Sequence, residues 1–239
     1  MTFSSLLSLE LGKTFKSIFT YLSLIVAMIF GSGIIVSITL YSGPFDNGNL
    51  IGVYATLSLL FLVVISMKNI LVDLHYKTHY FYFTSARRRI DYFLARLIIN
   101  GTMGILFALG GVGLLAINWS LNGLAFGAVD AALLIGEYLL FAVFFTSVFF
   151  LITLFYQNVM NLAIVFLVLY LIVPSMFGAM MQIPNLPGWV YKTLELIPFY
   201  SVPMYVPTVD MSLMQGLISV GFVLAVCLFI VFKFPKVDY

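Results

Sequence analysis

Six stretches of the chain are each long and apolar enough to cross a lipid bilayer as an α-helix. A span needs about 20 mostly apolar residues, because the hydrocarbon core is about 30 Å thick and a helix rises 1.5 Å per residue. We place the spans at Ile18–Leu40, Leu50–Val72, Leu97–Asn118, Ala131–Tyr156, Val159–Met181 and Leu213–Phe232. The sequence therefore predicts an all-α membrane protein, with residues 17–239 as one six-helix transmembrane domain.

The composition excludes a soluble globular domain. Of the 239 residues, 63% are hydrophobic and 8% are charged, whereas soluble domains are about half apolar and a quarter charged. A soluble chain of this size would leave much of that apolar surface in water. The net charge of +2 offers no basic surface of the kind that binds nucleic acid. The single cysteine, Cys227, lies in an apolar stretch and reads as a small buried hydrophobe.

The basic residues fix a predicted orientation. If the N-terminus lies in the cytoplasm, every Lys and Arg of the chain except Lys192 falls on the cytoplasmic side, as the positive-inside rule requires. The even number of spans then returns the C-terminus to the cytoplasm. The fourth and fifth spans are separated only by Gln157-Asn158 and should form a tight helical hairpin.

Residues 1–16 have the pattern of an amphipathic helix lying in the membrane interface. Apolar side chains recur at helical spacing, and serine, glycine and lysine residues occupy the other side. The apolar set is Phe3, Leu6, Leu7, Leu11 and Phe15. The alternative is that this segment is the frayed beginning of the first span.

The cytoplasmic segment Asp73–Arg96 mixes aromatic and charged residues, which is unusual for a simple connector. One interpretation is an interfacial aromatic belt with arginines on anionic lipid head groups. The other is a short helix that docks into a soluble partner, since aromatic residues and arginine contribute most of the binding energy at interfaces. The sequence leaves both open.

The outer segment Gln182–Ser212 is rich in proline and aromatic residues. Within it, Trp189–Ile197 reads as a helix that Pro198 ends. The apolar character favours short re-entrant helices that dip into the outer leaflet, the alternative being an ordinary extracellular loop.

Motifs for catalysis or metal binding are incomplete. Gly12-Lys13-Thr14 would end a phosphate-binding loop, but the glycine required five positions earlier is Leu7. His75 and His79 have the spacing of a zinc pair, but the glutamate that a metalloprotease places after the first histidine is Tyr76. We therefore expect neither enzyme activity nor a metal or cofactor bound by this chain.

Glu137 lies within the fourth span, where an ionisable group is costly and is by default a functional candidate. The alternative is a carboxyl group that is protonated or paired near the outer interface.

The third span contains small residues suited to close helix packing. These are Gly101, Gly104, Ala108 and Gly111, whereas Gly123 and Gly127 fall at or beyond its end.

The layout as a whole resembles the ABC-2 type permease family, and two local patterns carry the resemblance. Thr84-Ser-Ala-Arg-Arg-Arg-Ile-Asp-Tyr-Phe-Leu-Ala-Arg-Leu97 is similar to the family's loop before the third span, although the usual proline is replaced by Thr84 or Ser85. Leu186-Pro-Gly-Trp-Val-Tyr-Lys-Thr-Leu-Glu-Leu-Ile-Pro-Phe-Tyr200 resembles the family's outer helix, which ends in a Pro-aromatic step. The small size is similar to that of bacterial exporters of peptides such as bacteriocins and phenol-soluble modulins.

This resemblance implies the membrane half of an ATP-driven exporter in a bacterial plasma membrane. Two copies, or one copy and a homologue, would line the path of an amphipathic peptide or lipid-like cargo. A separate cytoplasmic ATPase would bind ATP and Mg²⁺ and contact the N-terminal helix and the Tyr80–Arg89 loop. The implied coupling residues are Phe81, Phe83, Arg87, Arg88, Arg89, Lys13 and Lys16, and the implied outer gate is Trp189, Pro198, Phe199 and Tyr200. The alternative is a non-transporting polytopic protein, such as an immunity or channel-like protein.

Overall fold

The computed structural model describes residues 3–41, 43–76, 86–156, 158–184 and 186–234, and within these residues the protein is mostly helical and has no strand. Six of its helices, at Ile18–Tyr41, Asn47–His75, Arg87–Asn122, Ala128–Thr153, Val159–Met181 and Leu213–Lys233, are long and apolar enough to cross a membrane. The chain is therefore a multi-pass helical membrane protein. The helices are α1 (Phe3–Phe15), α2 (Ile18–Tyr41), α3 (Asn47–His75), α4 (Ala86–Asn122), α5 (Ala128–Thr153), α6 (Val159–Leu167), α7 (Val173–Met181), α8 (Gly188–Leu196), α9 (Pro198–Tyr205) and α10 (Leu213–Lys233).

Two of the spanning helices extend further than the sequence analysis predicted. Helix α3 continues to His75, and α4 begins at Ala86 instead of Leu97. The early turns of α4 are helical because they have a core to pack against, with Tyr92 and Phe93 buried beside Phe150 of α5. The connector between the two spans is therefore shorter than the predicted segment 73–96.

Helices α3, α4 and α5 form the centre of the bundle, and the other three spans surround it. In the three central helices, the buried share of the most apolar stretch is 61% for α3, 50% for α4 and 61% for α5. In the surrounding spans it is 22% for α2, 17% for Val159–Met181 and 28% for α10. Lipid is an apolar solvent, so the outer helices need not bury their apolar faces against the protein.

Small residues let α4 approach its neighbours, as predicted. A Cβ atom on Gly104 would lie 2.8 Å from the Tyr138 carbonyl oxygen of α5, and one on Gly111 would lie 3.1 Å from the ring of Tyr54. The Tyr54 hydroxyl, fully buried, donates to the Phe107 carbonyl oxygen at 2.5 Å. Gly123 adopts a left-handed conformation (φ 71°) directly after α4, and its N–H bonds to the Trp119 carbonyl.

The fifth span is not a continuous α-helix. A π-helical turn, Val168–Ile172, separates α6 from α7, and Pro174 follows it in the first turn of α7. Proline cannot donate the hydrogen bond that an α-helix requires at that position, and a π-turn is one way in which a helix accommodates the loss.

Two short helices and a 3₁₀ turn (Val206–Thr208) precede the last span. The predicted helix at Trp189–Ile197 is observed as α8, with Ile197 extended as expected of a residue before proline. Pro198 does not merely end this helix but occupies the first turn of α9. Val209, with φ 57°, ends the 3₁₀ turn in a conformation that β-branched residues rarely adopt.

Helix α1 is separate from α2, so the alternative that it is a frayed start of the first span is wrong. It packs along α4, where Leu6 is buried against Ala95 and Ile99. The buried face of α1 also carries Glu10, which the amphipathic pattern did not predict.

Candidate functional site

A cluster of charged side chains is buried where α1, α3 and α4 meet, and we call Glu10, Asp73, Tyr92 and Arg96 the ion-pair cluster. The Arg96 guanidinium lies 3.0 Å from Glu10 Oε2 and also pairs closely with Asp73 Oδ2. The Tyr92 hydroxyl donates to the same Asp73 oxygen at 2.5 Å. Only 3% of the Arg96 side chain is exposed, so one cation holds three helices together at a site shielded from solvent.

Helical spacing explains why these residues converge. Tyr92 and Arg96 are four residues apart on α4 and therefore project from one face. The Arg96 guanidinium lies 5.0 Å from the centre of the Tyr92 ring, a cation–π distance. Asp73 comes from the last turn of α3 and Glu10 from the buried face of α1. The cluster is thus built from one residue pair on α4 and one carboxylate from each neighbour.

Lys13 is the second cation that pairs with the carboxylates of the cluster. Its Nζ lies 2.7 Å from Glu10 Oε1, while 61% of its side chain remains exposed. Two carboxylates, Glu10 and Asp73, thus face two cations, Arg96 and Lys13. A cavity of about 290 Å³ lies beside the cluster and is lined by polar groups that include Ser17, Lys68 and Asn69.

A second set of hydrogen bonds lies one helical turn from the ion-pair cluster, towards the centre of the bundle. Asn69 of α3 donates to Asn100 Oδ1 at 2.9 Å, and Asn100 donates to Thr146 Oγ1 of α5 at 3.0 Å. Asn69 and Asn100 lie one helical turn beyond Asp73 and Arg96, so the amides follow the charges along the same helix faces. Polar contacts therefore link α1, α3, α4 and α5 in succession.

The predicted coupling arginines begin α4 at the same end of the bundle as α1. Arg87 and Arg88 are exposed in the first turn. Arg89 is half-buried, and its Nη1 donates to the Phe234 carbonyl at the end of α10 at 3.2 Å. Of the other predicted coupling residues, Lys13 and Lys16 are exposed on and after α1, whereas Phe81 and Phe83 lie outside the described residues.

The predicted outer-gate residues lie at the opposite end of the bundle and do not form one site. Trp189 is 73% exposed on α8. Phe199 packs edge-on against Phe144 of α5 and Phe222 of α10, with ring centroids 5.3 Å and 5.5 Å away. Pro198 begins α9, and Tyr200 is buried with its ring edge-on to Tyr205. Phe199 therefore anchors the short helices, whereas Trp189 contributes to the surface.

Glu195 of α8 bonds to Tyr205 of α9 and to Gln215 of α10. Tyr205 donates to Glu195 Oε1 at 3.2 Å, and Gln215 of α10 bonds to the same oxygen at 3.4 Å. Burial raises the pKa of Tyr205 above its ordinary value, and Glu195 raises it further. Burial also raises the pKa of Tyr200. Both phenols therefore stay protonated, and Tyr205 bonds α9 to α8 through Glu195, which Gln215 in turn bonds to α10.

Glu137, the predicted intramembrane candidate, is 8% exposed on α5. The Met211 backbone N–H and the Asp210 carboxylate are its polar neighbours. Its Oε2 atom has no hydrogen-bond partner among the described residues.

Sequence reasoning missed the ion-pair cluster, although its signals are present. The sequence analysis places Asp73 and Arg96 at the two ends of a connector and gives Glu10 no role. Asn69 with Asp73, and Arg96 with Asn100, repeat a polar residue at a spacing of four in helices that otherwise face lipid or core. Such a spacing marks a polar stripe along a helix face.

Comparison with known proteins does not identify a family: no family model matches the chain, and no curated protein sequence matches it.

Proposed function

We propose that this chain is the permease subunit of an ATP-binding cassette exporter in a bacterial plasma membrane. The observation that supports this most directly is the ion-pair cluster, which bonds α1 to the adjoining ends of α3 and α4. An exporter driven by a separate ATPase needs a stiff connection between its cytoplasmic surface and its spans. Breaking a buried ion pair costs several kcal/mol, about 3–5, so α1, α3 and α4 would move together when any of them is pushed.

The ATPase would bind ATP and Mg²⁺ and contact the exposed residues around this cluster. Arg87 and Arg88 on α4 and Lys16 after α1 lie at the same end of the bundle and are exposed. Arginine makes planar, paired hydrogen bonds with carboxylates and is well suited to orient a docked protein. Phe81 and Phe83 in the adjoining connector would supply the apolar anchors.

In this proposal the α1 end faces the cytoplasm, together with both termini. The support is the distribution of Lys and Arg along the sequence, which the positive-inside rule converts into an orientation. Helices α8 and α9 would then be the re-entrant helices of the outer leaflet.

A second permease chain, either a copy or a homologue, would complete the transport path. Helix α2, the span Val159–Met181 and α10 leave most of their apolar surface exposed, so they are available to a second chain as well as to lipid. A path between two such surfaces would suit amphipathic peptide or lipid-like cargo, because aromatic and methionine side chains accommodate an apolar helix face.

Charge reversal at the start of α4 tests the coupling. The chain would be tagged in its native bacterium, and the ATPase that copurifies with it would be identified by mass spectrometry and reconstituted with it in vesicles. We expect Arg87→Glu with Arg88→Glu to abolish ATPase binding and cargo-stimulated hydrolysis, because like charges would face the partner. Lys233→Glu is the matched control, since it reverses an exposed charge at the end of α10.

The double variant contradicts the proposed coupling surface if it still binds the ATPase and still shows cargo-stimulated hydrolysis. A chain that purifies from native membranes stable, active and without any ATPase would instead favour the non-transporting alternative. Vesicles that show ion flux without peptide export would exclude the proposed cargo.

A further inference from the structure

Glu137 lines a cavity at the end of the bundle opposite α1. The cavity measures about 410 Å³ and lies between α5 and the beginning of α10. Its lining residues are Ala132, Leu133, Gly136, Glu137, Leu140, Met211, Ser212, Leu213, Gly216 and Leu217. Apart from Glu137, Ser212 and the backbone, this lining is apolar.

Glycine keeps this cavity open. A Cβ atom on Gly136 would meet no other atom within 4 Å, so the position borders empty space. Leu133, Leu213 and Leu217, which flank the cavity, are each at least half exposed, so the cavity opens sideways on the surface of the bundle. In a membrane-spanning protein that surface faces lipid, and a molecule with an alkyl chain has direct access to it.

Glu137 is a buried hydrogen-bond acceptor with one unsatisfied oxygen, although the Met211 backbone N–H bonds to its carboxylate. It is 8% exposed, and its Oε2 atom has no partner among the residues the structure describes. The Asp210 carboxylate adds a second negative charge nearby, and neither Lys nor Arg is among the described residues that line the cavity. A buried carboxylate with an unsatisfied oxygen is costly, so a ligand that supplies both a positive charge and an N–H donor would be favoured.

We infer that this cavity binds the primary ammonium group of an amphipathic molecule, with the Glu137 carboxylate accepting from the ammonium and the apolar walls holding its hydrocarbon. A metal ion is a poorer match, because no group of three or more metal-ligating side chains occurs in the described part of the chain. Calcium, for comparison, requires six to eight oxygen ligands. If the chain is the proposed exporter, the ammonium belongs to its cargo, and that extension alone rests on the proposed function.

Photolabelling of the purified full-length chain in lipid nanodiscs tests the inference without any ATPase. The probes are a primary alkylamine and the matching alkyl alcohol, each of about ten carbons and each carrying a diazirine near the middle of the chain. After irradiation, mass spectrometry quantifies the labelled peptides that contain Ala132–Leu140 and Met211–Leu217. We expect the amine to label them about tenfold or more above the alcohol, as a charge-assisted hydrogen bond would produce.

Glu137→Gln keeps the side-chain shape and removes the charge, so amine labelling should fall to the alcohol level while alcohol labelling stays unchanged. Asp130→Asn is the matched control, because it removes an exposed carboxylate from the same helix and should change neither. Gly136→Leu should fill the cavity and reduce labelling by both probes, whereas Gly221→Leu on α10, which also has open space at its Cβ position, should not.

Equal labelling of wild type by amine and alcohol overturns the inference, and so does amine labelling that survives in Glu137→Gln. If Glu137→Gln does not fold, the amine-to-alcohol ratio in wild type and the loss of labelling in Gly136→Leu decide. Amine labelling without any ATP-driven export would contradict the proposed function and leave this site standing. ATP-driven export without preferential amine labelling would support the proposed function and contradict this site.

Discussion

Replacing Arg96 with methionine tests whether the ion-pair cluster stabilises the fold. The substitution keeps an unbranched side chain but leaves Glu10 and Asp73 buried without their shared cation. Removing one partner of a buried ion pair costs about 3–5 kcal/mol. We expect the loss to stay within that range although two carboxylates are affected, because a carboxyl group left in an apolar site takes up a proton and becomes neutral.

The free energy of unfolding can be measured by titrating the protein in mixed micelles with a denaturing detergent. A loss of 3–5 kcal/mol corresponds to a change of about two to almost four orders of magnitude in the unfolding equilibrium. The Glu10 contact is also part of what holds α1 against α4, so trypsin cleavage after Lys16 should become faster in Arg96→Met. Lys68→Met is the matched control, since Lys68 lines the same cavity but is exposed and should cost less than about 1 kcal/mol.

A variant that neutralises all three charges shows whether the stability lost in Arg96→Met comes from unpaired buried charges or from altered packing of the side chains. Glu10→Gln with Asp73→Asn and Arg96→Met leaves no buried charge, and replacing a whole buried ion pair is often nearly neutral. We expect this triple variant to be more stable than Arg96→Met alone. A loss below about 1 kcal/mol for Arg96→Met, or a triple variant as unstable as the single one, would refute the reasoning.

Three further substitutions test the packing of the bundle by the same unfolding measurement. Gly104→Ala should lose about 1–3 kcal/mol, because its Cβ would lie 2.8 Å from the Tyr138 backbone oxygen, whereas Gly113→Ala, with open space, should lose nothing. Asn100→Leu should cost about 1–2 kcal/mol, because it breaks hydrogen bonds to both α3 and α5. Tyr54→Phe should cost about 1 kcal/mol through its hydrogen bond to the α4 backbone, and an unchanged stability would show that this short contact contributes nothing.

The sequence was sufficient to predict the spanning helices because each is set by local composition. Long apolar runs, a proline before α8 and small residues in α4 are all signals that act within one helix. The separate α1 also followed from its apolar spacing. Each of these predictions depended on residues close together along the chain.

The ion-pair cluster could not be predicted in the same way, because it depends on contacts between distant residues. Glu10, Asp73 and Arg96 each look like surface charges when read within their own segments. They are buried because α1 packs along α4, and because α4 begins eleven residues before the predicted start of its span at Leu97. Glu137 was identified because a charge inside an apolar run is visible locally, but its cavity depends on how α10 packs against α5.

The length of α4 has a mechanical consequence. Its 37 residues form a rod of about 55 Å, nearly twice the thickness of the hydrocarbon core. A tilt of about 10° around its midpoint would carry each tip through about 5 Å, from the rise of 1.5 Å per residue. The ion-pair cluster holds this helix at Arg96, about 15 Å from its first residue, and Gly104 and Gly111 pack against the neighbouring helices near its middle. If α4 rotates as a rigid body about the closely packed glycines, a displacement at its arginine end would also displace Asn122 at its other end.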